Sequence, residues 1–169
     1  MVLYSTFSMQ PHILTLPEKL LIGRHLTMSL AADRTPELWR SFMPQRKSIT
    51  NAVSNDLYSM QVYDAAYDFK TFNPAATFEK WAAVEVSDFK NVPDGMETLV
   101  LTSGLYAVFK HRGGPATGFK TFSYIFGEWL PASEYELDAR PHFELLGEKY
   151  KGNEPDSEEE IWIPVKPRV

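Results

Sequence analysis

Apolar and polar positions alternate over most of this chain, and only two stretches switch to helical spacing. The clusters His12–Leu16 and Leu20–Met28, separated by Pro17-Glu18-Lys19, predict an extended segment readable as one long bent strand. Pro17 needs an edge or a bulge there. Thr35-Pro36-Glu37 then marks a helix start, with a hydroxyl N-cap, proline at the first helical position and an acid in the first turn. Leu38, Trp39, Phe42 and Met43 follow at helical spacing and define a buried face, which Pro44 must end or kink. Leu57–Tyr63 alternates, with Leu57, Ser59, Gln61 and Tyr63 on one side and Tyr58, Met60 and Val62 on the other. After a polar connection through Asn73-Pro74, Thr77–Val86 sets Phe78, Lys80, Ala82, Val84 and Val86 against Glu79, Trp81, Ala83 and Glu85.

The turn Val92-Pro93-Asp94-Gly95 restarts the series. Met96–Leu101 and Leu105–Lys110 read as extended, and Gly113-Gly114-Pro115 breaks the run. Phe119, Phe122, Phe126 and Trp129 then form the stripe of an amphipathic helix closed by Leu130-Pro131. Tyr135–Leu146 is extended with Pro141 inside it, and Ser157–Val165 is the last strand, its charge run Asp156–Glu160 reading as a solvated entry. Met1–Gln10 shows no period and is expected to fray or to lie along the surface. The order strand, helix, strand, strand thus occurs twice. Trp39-Arg40-Ser41-Phe42-Met43-Pro44 even parallels Glu128-Trp129-Leu130-Pro131. The expectation is an α+β fold in one domain spanning residues 1–169, with pseudo-repeat halves at about 11–90 and 96–167, antiparallel sheets, a helix on each half and a pocket in the groove between them.

Composition narrows the function. The 169 residues suffice for a core without staples, and the absence of cysteine excludes disulfides, thiolate metal sites and thiol nucleophiles. A net charge of −5 argues against a general nucleic-acid binder. No stretch approaches the roughly 20 apolar residues of a membrane span, and no signal peptide is visible, so the cytoplasm is the expected location. The informative bias is aromatic: 11 Phe, 8 Tyr and 4 Trp imply either a large aromatic core or a pocket walled by rings.

The candidate chemistry is sparse. His12, His25, His111 and His142 show no paired ligand spacing, and neither a metal nor a cofactor is expected. Gly113–Gly118 lacks the Lys-Ser/Thr of a phosphate loop, and no G-x-S-x-G elbow occurs. What stands out is Glu144 within the short apolar strand Pro141–Gly147. Its carboxylate either faces solvent or sits in a pocket. In a pocket it would attract an organic cation, helped by cation–π contacts of about 0.5–2 kcal/mol per ring, or serve as a general acid or base.

Leu105-Tyr106-Ala107-Val108-Phe109-Lys110-His111-Arg112-Gly113 resembles the YAVF-x-x-x-G strand of the GyrI-like small-molecule-binding domains, which are also the effector-binding domains of AraC- and MerR-type multidrug regulators. The resemblance continues through Tyr124–Pro131 with Tyr135-Glu136, and is strongest in Arg140–Leu146 and Glu160–Val165. It implies the duplicated module and an aromatic pocket with an acid at its base, which by motif position is Glu144. Trp129 falls where the family commonly has a pocket aromatic, and Leu146 shares the strand face of Glu144. Trp162, Tyr63 and Trp39 are weaker candidate ligand-binding residues. The first strand begins within the first dozen residues, so no helix-turn-helix DNA-binding domain is expected. The implied function is binding of a small hydrophobic or cationic molecule for sequestration, sensing or detoxification. The alternatives are hydrolysis of cyclopropane-containing electrophiles by Glu144 with Trp129, and a protein-interaction role such as modulation of DNA gyrase.

Overall fold

The structure, a computed structural model, describes residues 9–169, so Met1–Ser8 of the N-terminal expectation lie outside the described residues. The first half contributes strands β1 (His12–Leu16) and β2 (Lys19–Ser29), helix α1 (Thr35–Phe42), and strands β3 (Leu57–Val62) and β4 (Thr77–Val86). The second contributes β5 (Glu97–Leu101) and β6 (Gly104–Arg112), helix α2 (Pro115–Tyr124), a wide π-type turn (Ile125–Trp129), the short α3 (Leu130–Ala132), and strands β7 (Tyr135–Leu137), β8 (His142–Leu146) and β9 (Glu158–Pro167).

All pairings are antiparallel, and the strands form one sheet in the order β1-β6-β9-β8-β3-β4-β2-β5, with β7 on β9. The two expected sheets are therefore continuous. The joint is β3 against β8, in register from Leu57↔Leu146 to Gln61↔His142. Each half also lends its leading strand to the other. β1 pairs with β6 and β5 with β2, so Pro17 falls at the point where the first segment changes partners. A residue without an amide hydrogen costs least where the ladder is already interrupted. Pro141 likewise sits in the break between β7 and β8. That break is fastened by Arg140, whose guanidinium pairs with Asp138 (2.9 Å), donates to the carbonyls of Leu105 and Val165, and lies 4.6 Å from the centre of the Tyr106 ring. Tyr106 in turn donates from its hydroxyl to the Pro141 carbonyl at 2.8 Å.

The alternation in β3 and β4 sorts side chains as their period of two requires. Tyr58, Met60, Trp81 and Ala83 face a core cluster that also contains Leu16 of β1 and Leu101 of β5, so the two ends of the sheet curl toward each other over that face. Trp162 belongs there too, stacked on Phe143 at 5.1 Å. Both helices lie on the opposite face. Leu38 and Phe42 of α1 pack on Ile22, Ala82, Val84 and Val86, while Ile125 packs on Ala107, Phe109, Ile161 and Ile163.

The helix ends differ from the sequence expectation in detail. Thr35 is the first helical residue rather than the cap. Arg34 occupies the cap position without a side-chain cap bond, and Asp33 Oδ1 accepts from the Thr35 amide at 2.9 Å. Pro44 does not stop the chain from coiling but converts it to a tighter 3-10 turn, Met43–Ser48. The larger change is at the end of α2. In the wide turn Ile125–Trp129 each residue advances the helix by less rotation than in an α-helix, so Trp129 lags behind Phe126. It comes round onto the side of buried Thr121 and Ile125, against the sheet.

Gly23 is required where β2 runs between β4 and β5. A Cβ there would lie 2.7 Å from Ala83 Cα and press on the Ala82 carbonyl oxygen, both backbone atoms that cannot swing away. Gly23→Ala is expected to destabilise the fold by about 2 kcal/mol or more, the upper part of the overpacking range. Urea unfolding followed by tryptophan fluorescence checks this, and an unchanged midpoint would contradict it.

Candidate functional site

The two helices leave a gap over the joint strands, and this gap is a cleft with two connected lobes of about 710 Å³ and 530 Å³. Its floor is made by side chains on the helical face of β3, β4, β8 and β9. Ser59 and Lys80 lie beside Glu144 and Leu146, and Glu159 enters from the last strand. Period-two alternation delivers them: Ser59 is directly opposite Glu144 in the β3–β8 ladder, and Gln61 is opposite both Lys80 and His142. One wall is α1 and the segment before it, with Trp39, Met43 and Asp33. The facing wall is α2, with Phe119 and Phe122, continued by Phe126 of the wide turn.

The end of the smaller lobe is closed by the β3–β4 connection, numbers 63–76. Three Asx turns, at Asp64, Asp68 and Asn73, fold this connection back on itself. The result is a ring cluster: Tyr63 lies 4.5 Å from Tyr67, 4.8 Å from Phe69 and 4.9 Å from His142, and Phe69 stacks on the His142 imidazole at 5.2 Å. Burial among these rings drives the His142 pKa down to about 3, so the imidazole is neutral and behaves as one more flat wall. Burial also raises the Tyr63 hydroxyl pKa, keeping the phenol protonated.

The electrostatics concentrate on three groups. Glu159 is hydrogen-bonded to Glu144, and its pKa is pushed up to about 8, first by burial, then by the neighbouring Glu144 charge and the shared hydrogen bond, with Lys80 opposing. At neutral pH Glu159 therefore holds the proton and donates it to the Glu144 carboxylate. Lys80 is 7% exposed, and burial pulls its pKa down against the attraction of Glu144, Asp33 and Glu159. With the Gln61 amide turned to satisfy both neighbours, its oxygen accepts from Lys80 Nζ and its nitrogen donates to the His142 carbonyl at 3.2 Å.

Four of the residues singled out from sequence meet in this cleft: Glu144, Leu146, Trp39 and Tyr63. Two do not. Trp129 packs edge-on against Phe109 at 5.1 Å and alongside Tyr135 at 6.4 Å, because the wide turn carries it off the Phe122–Phe126 stripe. Trp162 is on the opposite sheet face, where its indole donates to Glu160. Sequence reasoning missed Lys80, Glu159 and the rings of the β3–β4 connection. Glu159 was hidden in a charge run, but its spacing from Ile161 and Ile163 placed it on their buried face. Tyr67, Phe69 and Phe72 stood in a segment read as polar; aromatic residues that dense in a connection are themselves a signal of a binding surface.

A helix-flanked cleft over a duplicated, continuous sheet is the architecture of a GyrI-like effector-binding domain. The family model described as Cass2, integron-associated effector binding protein, matches residues 12–165, and the chain belongs to that family. Small-molecule binding is the family's general property. Among solved structures, the chain is similar to SAV2435 bound to tetraphenylphosphonium, with a TM-score of 0.73 at 17% identity, covering 94% of each chain. It is also similar to the integron cassette protein of Vibrio cholerae, with a TM-score of 0.61 at 17% identity, covering 94% of this chain and 97% of that one. A third structure, a hydrolase from Listeria innocua, matches with a TM-score of 0.61 at 13% identity over 96% of this chain and 95% of that one. No curated protein matches the chain. No described helix is long and apolar enough to cross a membrane.

His142 offers a direct check on the ring cluster. Its pKa is depressed on folding, so its contribution is fully present above the unfolded value of 6.5 and is lost as pH falls from there toward 3. Comparing denaturant stability of the wild type with His142→Phe between pH 7 and 4 should show the wild type losing more. Parallel losses would mean that His142 is not buried as a neutral ring.

Proposed function

We propose that this protein binds flat, apolar or cationic aromatic small molecules in the cleft between α1 and α2, for sequestration, sensing or detoxification. The observation that carries this reading is a carboxyl pair, Glu144 with Glu159, at the base of a ring-lined cleft. Each lobe, about 710 Å³ and 530 Å³, lies within the 300–1,000 Å³ range of drug-sized sites. The rings of Tyr63, Tyr67, Phe69 and Phe126 offer stacking surface, and an ionised carboxylate shielded from bulk water attracts a cation more strongly than one at the surface. That SAV2435 is described as bound to tetraphenylphosphonium, a lipophilic aromatic cation, supports the same ligand class for this fold. On this reading Trp129 is a wall support and the site aromatics are those of the β3–β4 connection and α2.

The carboxyl pair makes cation binding depend on pH. A bound cation favours the doubly ionised pair, so below about pH 8 its entry is coupled to loss of the Glu159 proton. The groups acting on that proton are Glu144 on β8 and Lys80 on β4; Tyr150 in the following loop feels the Glu159 charge in turn, and His111 stands opposite Glu159 in the β6–β9 register. Affinity for the cationic dye rhodamine 123, followed by fluorescence anisotropy, is expected to rise with pH up to about 8 and then level off. Glu159→Gln should flatten that profile. Glu144→Gln alone leaves Glu159 free to ionise in its place, whereas the double variant Glu144→Gln/Glu159→Gln should weaken binding at least tenfold. Unaltered affinity in a folded double variant would sink the role of the pair.

A second reading has one observation in its favour. A carboxyl pair that shares one proton, with the Glu159 pKa raised to about 8, provides an acid and a base in one cleft, the arrangement that hydrolysis of a strained electrophile needs. Tyr63, rather than Trp129, would then supply the ring beside the substrate. Incubation with cyclopropane-bearing compounds and mass spectrometry of the products decides this: turnover above the buffer rate, lost in Glu144→Gln, supports hydrolysis, and its absence rejects it.

A further inference from the structure

Lys80 is the floor group that the reading above leaves without a role. It stands on β4 at a position whose same-face neighbours Ala82, Val84 and Val86 are apolar and fully packed, yet it borders both lobes of the cleft. Its ammonium donates to Gln61, and no carboxylate among the described residues lies within the 4.0 Å of an ion pair. An ammonium has three donors, so this one keeps hydrogen-bonding capacity directed at the cleft. A buried charge without a close counter-ion is costly, and its presence on a binding floor needs a reason. The carboxylates that act on it, Glu144, Glu159 and Asp33, all line the same cleft. With Glu159 holding its proton, the floor offers one anionic group, Glu144, and one cationic group, Lys80, with the exposed Asp33 on the wall. A simple cation brings a charge that Lys80 repels. A ligand with both signs gives Lys80 the partner it lacks while its cationic end meets Glu144.

We propose that the cleft selects amphoteric aromatic molecules, a flat ring system bearing both a basic nitrogen and a carboxylate, with Lys80 holding the ligand's anionic group and Glu144 its cationic one. The flat body lies among Tyr63, Phe69 and Phe126 in the smaller lobe, and the two charged ends meet the floor at the junction, where Lys80 and Glu144 border both lobes. The inference rests on the cleft being a small-molecule site and adds the charge pattern of its ligand.

Rhodamine 110 and its methyl ester rhodamine 123 share one ring system and differ in whether the carboxylate is free. Titrated by fluorescence anisotropy at pH 7, the wild type is expected to bind rhodamine 110 at least fivefold more tightly. Lys80→Met, which keeps the length of the side chain and removes its charge, should reverse that order, with Lys80→Gln as a second variant should the first fail to fold. A wild type that binds the ester as tightly or more tightly overturns the proposal while leaving small-molecule binding intact. A preference for rhodamine 110 that persists in a folded Lys80 variant overturns the role of Lys80. Failure of both dyes to bind the wild type overturns the proposal together with the reading of the cleft on which it rests.

Discussion

The β3–β8 ladder is the interaction on which the rest of this molecule depends. It joins the two pseudo-repeated halves at the centre of the sheet, and side chains of both meet there on the floor of the cleft. Leu57 to Gln61 supply one side and His142 to Leu146 the other, so Ser59 lies opposite Glu144 and Gln61 opposite His142. Side chains alternate along a strand, so a slip of β8 by one residue in this register would turn Glu144 away from the helices and into the core with Tyr58 and Phe143. The register is held from outside the ladder as well. Arg140 and Tyr106 fasten the entry to β8 through carbonyls of three separate segments.

A cleft follows from the way the helices cover that sheet. α1 packs over β2 and β4, and α2 with its wide turn packs over β6 and β9, leaving the helical face of the joint strands uncovered. Apolar side chains on an uncovered face would be an exposed patch; here the uncovered positions carry Ser59, Gln61, Lys80, Glu144 and Glu159 instead. Glu144 and Glu159 share a proton, the Gln61 amide accepts from Lys80, and the ring cluster of the β3–β4 connection closes one end. The site is thus rigid at its floor, where strands set the geometry, and built from a loop at one wall, where rings and Asx turns set it.

The wide turn Ile125–Trp129 shows how a small helical irregularity changes a functional surface. Without it, Phe119, Phe122, Phe126 and Trp129 would share one stripe along the cleft. With it, Phe122 and Phe126 stay on the cleft while Trp129 rotates into the packing with Phe109 and Tyr135. The pseudo-symmetry of the two halves is broken at that point. Trp39, its counterpart in the sequence parallel, does line the cleft.

The sequence by itself determined the elements and their faces. Period-two alternation placed Ser59 and Lys80 on the side opposite Tyr58 and Trp81, prolines marked where strands break, and the motif around Arg140–Leu146 singled out Glu144. Those are local properties, and local physics encodes them. Three features were beyond it. The side that Trp129 faces depends on a change of helical pitch that no spacing rule reveals. The inward turn of Glu159 was masked by a run of like residues, although it shares the face of Ile161 and Ile163, and the covering of that face by α2 is a tertiary fact. Most of all, the meeting of Lys80 with Glu144 and Glu159 joins positions 64 and 79 residues apart in the chain, and strand pairing brings such positions within reach of one another's charge.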